Sequence, residues 1–356
     1  MSQEEQAHLK GPGAIAQGHS VAAGAAGVAV GGDVHGDVIT GSTINQIKAG
    51  LVRYDVDQRV IVNIILAEGQ DALEQIVDEL TSLENVGERP GQNLGRQAAP
   101  EHASRQIAQV IAAQKEAQAR GVPPTPQAAY HLGRLAAHKR DYDTALDYFR
   151  QATQQDPDYS DAFEAIAWLQ QIRAMHDRQA QDFDAAISKL TDARAAAEHT
   201  DPLDPQALAL RGYILKTLAQ VAEDMQDQAG RQKHYREAAR LFEHVVRLAP
   251  ADASAHNGLG NVQYALGNLD AAIAAYERAI ELAPAYTEAY HDLALALEGK
   301  MEADPARAAE WCRKSLHMWQ KTYQLAPNNP AFSADQVLAI GQHISWLEQQ
   351  CSQSET

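Results

Sequence analysis

Aromatic side chains are scarce in this chain of 356 residues, at 6%, although the apolar share is 45%. Alanine makes up the difference, and alanine-rich apolar faces suit helices packed closely on one another. Positive charge is also short: 30 Lys and Arg stand against 47 Asp and Glu, a formal net charge of -17. So acidic a surface does not track phosphate, which argues against nucleic acid and anionic membrane as main partners. The two cysteines, Cys312 and Cys351, form no metal-ligand or C-x-x-C spacing. They read as incidental, Cys312 as a small buried apolar residue within a helix, with a reducing compartment as the default. No apolar run reaches the roughly 20 residues that cross a bilayer, and no basic start leads into an apolar core and cleavage site. Cytoplasmic location is the expectation, and a nonclassical export route would leave no mark.

Motifs that carry chemistry are missing too. GDVITGS, from Gly36 to Ser42, has the outline of a phosphate loop but no lysine before its serine. The glycines of HNGLGN, Gly258 and Gly260, fall inside a helical pattern, and Pro12 interrupts GPGAIAQG. His131 and His138 lie seven apart on one helix face without a third ligand. No serine sits in a nucleophile elbow. The expectation is therefore no enzyme, no cofactor and no metal.

What is present is a helical hairpin from Ala253 to Tyr286, ASAHNGLGNVQYALGNLDAAIAAYERAIELAPAY. Gly260, Ala272 and Ala279 are small where two helices must approach to about 8–10 Å. Leu259, Ile273, Tyr276, Ile280 and Leu282 surround them at helical spacing. Gly267 and Asn268 have turn chemistry, and Pro284 stops the second helix 34 residues after the preceding stop, Pro250. These residues resemble a tetratricopeptide repeat: Leu259-Gly260 as its "L-G" pair, Ala272, Tyr276 and Ala279 as its small-aromatic-small positions. A second match runs through Leu132, Gly133, Ala145, Phe149 and Ala152 to Pro157.

The resemblance implies a mainly α fold, a solenoid of about five hairpins over residues 121–331 closed by a capping helix over 332–350, with a tail at 351–356. Three hairpins are irregular. One opens at Phe163, Ile166 and Ala167 and returns late, around Phe183 to Ala197. Another runs from Pro205 through Gly212 and Tyr213 and back through Ala238, Phe242 and Val245. The last carries Tyr290, Leu293 and Ala294, with its stop, Pro327, nine residues late. In the family the first helices line a concave groove. Its positions fall here on Tyr130 and Arg134, Trp168, Tyr213 and Lys216, Asn257, Asn261 and Tyr264, and His291, a set suited to holding a peptide. Trp168 and Tyr213 also read as packing residues of lengthened helices. Asn257 and Asn261 resemble two positions of the carboxylate-clamp class. The clamp's paired cations are missing from adjacent repeats, so chaperone-tail binding is not expected.

The front of the chain differs in kind. Residues 1–10 are polar and expected to be flexible. Residues 11–50 are glycine, alanine and valine, with Ile15, Val21, Val28 and Val34 six or seven apart and Val38 and Ile44 six apart. That spacing suits a short-runged β-solenoid or a stacked cross-β ribbon that associates with its own kind; the competing reading is a disordered leader. The phrase GGDVHGDVITGS loosely resembles glycine-rich leaders of some bacterial signalling proteins, which implies oligomerisation. Residues 51–84 read as a small strand-helix adaptor, with VIVNIIL (Val60 to Leu66) as the strand, though its periodicity also admits a buried helix. Residues 85–120 read as a linker and a helix from about His102 to Arg120. Two functions fit: a scaffold that self-assembles into oligomers or filaments through the leader and displays the repeats, or a cytoplasmic adaptor recruiting a partner effector enzyme with the leader disordered. The partners expected are the chain itself and a polypeptide in the groove.

Overall fold

The computed structural model describes residues 21–24, 27–30, scattered positions from 58 to 77, 101–329 and 331–353. Val21–Gly24 (β1) pairs antiparallel with Gly27–Val30 (β2), Val21 opposite Val30. The candidate self-association positions Ile15, Val34, Val38 and Ile44 lie outside the described residues.

The sequence suggests a strand at Val60 to Leu66, but the described positions there, Ile61, Val62, Ile65 and Leu66, are helical. Burial explains the correction. Ile61, Val62 and Ile65 are at most 2% exposed, and so are Leu73, Ile76 and Val77. Spacings of one, three and four put each set on a single helical face. This segment meets the start of the repeats: Gln70 Nε2 donates to the Pro123 carbonyl at 2.8 Å, and the Thr125 hydroxyl donates to Glu74.

Twelve α-helices follow among the described residues: α1 (Glu101–Ala119), α2 (Pro126–His138), α3 (Tyr142–Gln155), α4 (Ser160–Gln179), α5 (Phe183–Ala197), α6 (Pro205–Asp224), α7 (Gln228–Leu248), α8 (Ala253–Ala265), α9 (Leu269–Leu282), α10 (Thr287–Ala303), α11 (Ala308–Leu325) and α12 (Ala334–Gln353). The chain divides into two compact units, through Ile166 and from Ala167 onward. In the first, α2 and α3 form an antiparallel hairpin; in the second, α6 pairs with α7, α8 with α9 and α10 with α11, and α12 packs on α11.

One turn design recurs in four hairpins. After α2, α4, α6 and α8 a single residue takes positive φ: Arg140, Gln181 and Gln226 at 62°, Gly267 at 83°. The next amide reaches back five residues to close the helix, as Asp141 to Ala136 at 3.0 Å and Asp227 to Ala222 at 2.7 Å. In three of the four that residue is an aspartate, and its carboxylate accepts from the amide three positions on: Asp141 from Thr144, Asp182 from Ala185, Asp227 from Gly230. One residue thus ends one helix and begins the next.

Within hairpins, as at Gly133 and Gly260, and between successive ones, as at Gly258, rings are set against glycines. A Cβ on Gly133 would stand 2.5 Å from Phe149 Cε1, one on Gly258 2.5 Å from Phe242 Cε1, and one on Gly260 2.5 Å from Tyr276 Cδ1. Phe149 and Phe242 are fully buried and Tyr276 is 1% exposed. Few large rings are needed because each is sandwiched at the one place where the helix opposite has no side chain.

The cysteines require a second correction. Cys312 is buried as expected, but it is disulfide-bonded to Cys351, with Cα atoms 5.6 Å apart. The antiparallel packing of α11 and α12 brings together residues 39 apart in sequence, so their separation does not make them incidental. Among the described residues no helix is long and apolar enough to cross a membrane.

Candidate functional site

In the second unit the first helices of successive hairpins, α6, α8 and α10, wall an open cavity of ≈ 690 Å³ that Arg231, Tyr235, Leu269 and Tyr276 also line. Lys216 and Gln220 enter it from α6, Asn261 and Tyr264 from α8, and Asp292, Leu295 and Gly299 from α10. Stacking explains the convergence: a residue one turn along each first helix lies beside its counterpart in the next repeat.

The sequence-derived groove residues divide into three groups. Lys216, Asn261 and Tyr264 share the cavity wall. Asn257 and His291 stand at its edge and meet on Asp292, Asn257 Nδ2 donating to Oδ2 at 3.2 Å and His291 Nδ1 lying 3.0 Å from Oδ1. Trp168 and Tyr213 pack on each other with ring centroids 5.8 Å apart; the Tyr213 hydroxyl lies 3.0 Å from Ser254 Oγ and its ring meets Phe242 edge-on. Tyr130 and Arg134 belong to the first unit and form a separate cluster. Tyr130 is 4% exposed against Phe149 and Tyr159, and the Arg134 guanidinium lies 5.7 Å from its ring centre. Burial pushes the Tyr130 phenol well above its ordinary range.

Two polar groups beside the cavity stand out, the half-buried Lys216 ammonium and the buried Asn257 Oδ1. Among the described residues no carboxylate pairs with the Lys216 ammonium; its one recorded contact is the Tyr213 ring, 5.6 Å away. Burial lowers its pKa, opposed by the charge of Asp292. Asn257 Oδ1 is buried without a hydrogen-bond partner, while its amide nitrogen is spent on Asp292. Asn261 Oδ1, by contrast, accepts from the Tyr276 hydroxyl at 2.9 Å, which fixes its amide. At the far end Arg231 holds Glu223 at 3.1 Å and the Ala265 carbonyl at 2.7 Å. Burial and the neighbouring Glu223 charge push the Tyr235 phenol up to about 12.

Asp292 is not among the groove positions that the family period names. That period carries Asn257 forward by 34 residues onto His291, whereas the residue its amide meets lies 35 away. A shift of one position at the entry to α10 moves the partner by one. The available signal is an acidic residue beside His291 in YHDL. Gln220 and Leu295 need the stacking itself.

A tetratricopeptide-repeat family model matches residues 91–160 and 227–287, which include the α2/α3 and α8/α9 hairpins. No curated protein sequence matches the chain. Among solved structures, TTC0263, a thermophilic TPR protein of Thermus thermophilus, is similar at 19% identity over 63% of this chain and 100% of its own, with a TM-score of 0.42. A MamA protein is similar at 20% identity over 56% of this chain and 94% of its own, TM-score 0.38. YrrB, described as a TPR protein with an unusual peptide-binding site, is similar at 15% identity over 67% of this chain and 99% of its own, TM-score 0.36.

Proposed function

We propose that this tetratricopeptide-repeat chain is a non-enzymatic interaction scaffold that holds a polypeptide segment in the groove of its second unit and gathers copies of itself through its glycine-rich leader. The observation that carries the first half is a buried acceptor without a partner, Asn257 Oδ1, together with the half-buried Lys216 ammonium that lines the cavity. Leaving a buried acceptor such as Asn257 Oδ1 unpaired costs about 1–3 kcal/mol, so a surface that keeps it is suited to completion by a ligand. A peptide backbone offers the N–H donors that Asn257 lacks, and its carbonyls or an acidic side chain satisfy Lys216 and the Asn261 amide.

Selection of a random peptide library on the immobilised chain tests this half. Enriched peptides should lose binding to a Lys216→Ala/Asn261→Ala variant that keeps its helical circular dichroism. Peptides that bind both proteins equally refute the groove.

The second half is supported by the composition of residues 11–50 and the placing of Val21 and Val28 in strands that pair as β1 and β2. Removing residues 1–50 should reduce the particle mass measured by light scattering to that of one chain. An unchanged mass refutes the leader's role and leaves the adaptor reading, in which the groove recruits a partner effector enzyme.

A further inference from the structure

The end of the second unit is closed by α12, whose Val337, Ile340, Ile344, Leu347 and Cys351 form one stripe on the core. Among its described residues only Ile340, Leu347 and Cys351 are buried, while Leu338 is 63% exposed and Trp346 46%. Its start is fixed by a capping box, Gln336 N–H donating to Ser333 Oγ at 3.2 Å and Ser333 N–H to Gln336 Oε1 at 2.7 Å. Its middle is held by His343, 2.9 Å from Glu298 Oε1 of α10 and edge-on to Trp319 of α11. Beyond Leu347 the anchor is the disulfide to Cys312. Past Leu347 the stripe continues through Cys351, so the last turns of this 20-residue helix lean on that bond.

We propose that the Cys312–Cys351 disulfide is a redox latch: oxidised, it seats the second half of α12 on α11; reduced, it releases that half and uncovers the apolar face of α11 around Cys312 and Trp319. The geometry sets the course of opening. Cys312 has no exposed surface, whereas Cys351 sits in the last described turn with 8% exposed. An external dithiol therefore attacks Cys351 Sγ. The Cys312–Cys351 bond breaks, Cys312 Sγ leaves with the electron pair and takes a proton from water, and a mixed disulfide forms on Cys351. The reagent's second thiol then displaces Cys351 as a thiol, leaving the protein with two thiols and the reagent as a cyclic disulfide, two electrons having moved.

Hydrogen exchange of the full-length chain, air-oxidised and after dithiothreitol, tests the latch. Peptides covering 340–353 should exchange about tenfold faster or more in the reduced protein, and peptides from α9 should not change. Cys351→Ser, which alters the less buried partner, should show the fast pattern with or without dithiothreitol. Equal protection of 340–353 in both redox states, loss of protection spread evenly to α9, or alkylation of both cysteines in the air-oxidised chain would each overturn the proposal.

Discussion

Replacing Gly260 with alanine adds one methyl group to the best-formed hairpin, and the structure fixes what that methyl meets. Its Cβ would stand 2.5 Å from Tyr276 Cδ1, where carbon atoms rest at about 3.5–4.0 Å. Roughly 1 Å must be found. Tyr276 cannot readily supply it, since its ring is 1% exposed and its hydroxyl is tied to Asn261 Oδ1 at 2.9 Å. Overpacking of this kind costs about 1–3 kcal/mol. Alanine recovers about 1 kcal/mol in helix propensity, so a net loss of up to about 2 kcal/mol is expected. Gly299 provides the contrast: its Cβ would lie 3.3 Å from Leu269 Cδ2, the movable end of a flexible side chain. There the propensity gain survives, and Gly299→Ala should be neutral or more stable by up to about 1 kcal/mol. Urea denaturation followed by far-UV circular dichroism compares the two variants with the parent. A Gly260→Ala/Tyr276→Leu double variant closes the cycle, since shrinking the ring makes room for the methyl. A coupling of about 1 kcal/mol or more is expected. If the effect of Gly260→Ala adds to that of Tyr276→Leu without coupling, the ring-on-glycine account is wrong.

Three further predictions concern caps, the groove and pH. Asp252 Oδ1 accepts from Ser254 N–H at 2.9 Å and Ala255 N–H at 3.1 Å, so Asp252→Ala should cost about 1 kcal/mol in the same denaturation assay. Lys216→Met removes a desolvated cation with no carboxylate partner. It should raise the melting temperature while abolishing capture of groove-selected peptides, a trade of stability against binding. Burial lowers the pKa of His138 and His234 from 6.5. The folded state therefore binds fewer protons than the unfolded one, and stability is expected to fall as pH drops below 6.5. Tyr235 moves the other way, from 10.0 up to about 12, so stability should also fall as pH rises past 10.0. A midpoint unchanged between pH 5 and pH 8, about 1.5 units either side of a histidine's ordinary value, contradicts the histidine argument.

The helical hairpins are legible in the sequence because their signals are local. Leu259-Gly260, the alanines four and seven residues apart on α9 and the stops at Pro250 and Pro284 each act within one or two turns of chain. The return helix from Phe183 to Ala197 is legible for the same reason. Two things are not. The described positions of 58–77 carry β-branched residues that favour a strand locally, and burial against neighbouring helices overrides that preference. The disulfide depends on where α12 lies on α11, which no spacing of 39 residues encodes. In the groove, the family period names Lys216, Asn261 and Tyr264 on the cavity wall, but Asp292 requires the actual register of α10.

The recurring turns have a bearing on how such a chain diversifies. Arg140, Gln181 and Gln226 take a left-handed conformation that glycine adopts at no steric cost, as Gly267 does in the fourth hairpin. Each joint is thus a tuning screw for the hairpin it closes, and in the fourth hairpin the joint, Gly267, itself lines the cavity beside Asn261 and Tyr264. Firmness can be adjusted hairpin by hairpin at Arg140, Gln181 and Gln226, positions that are not among the candidate groove residues.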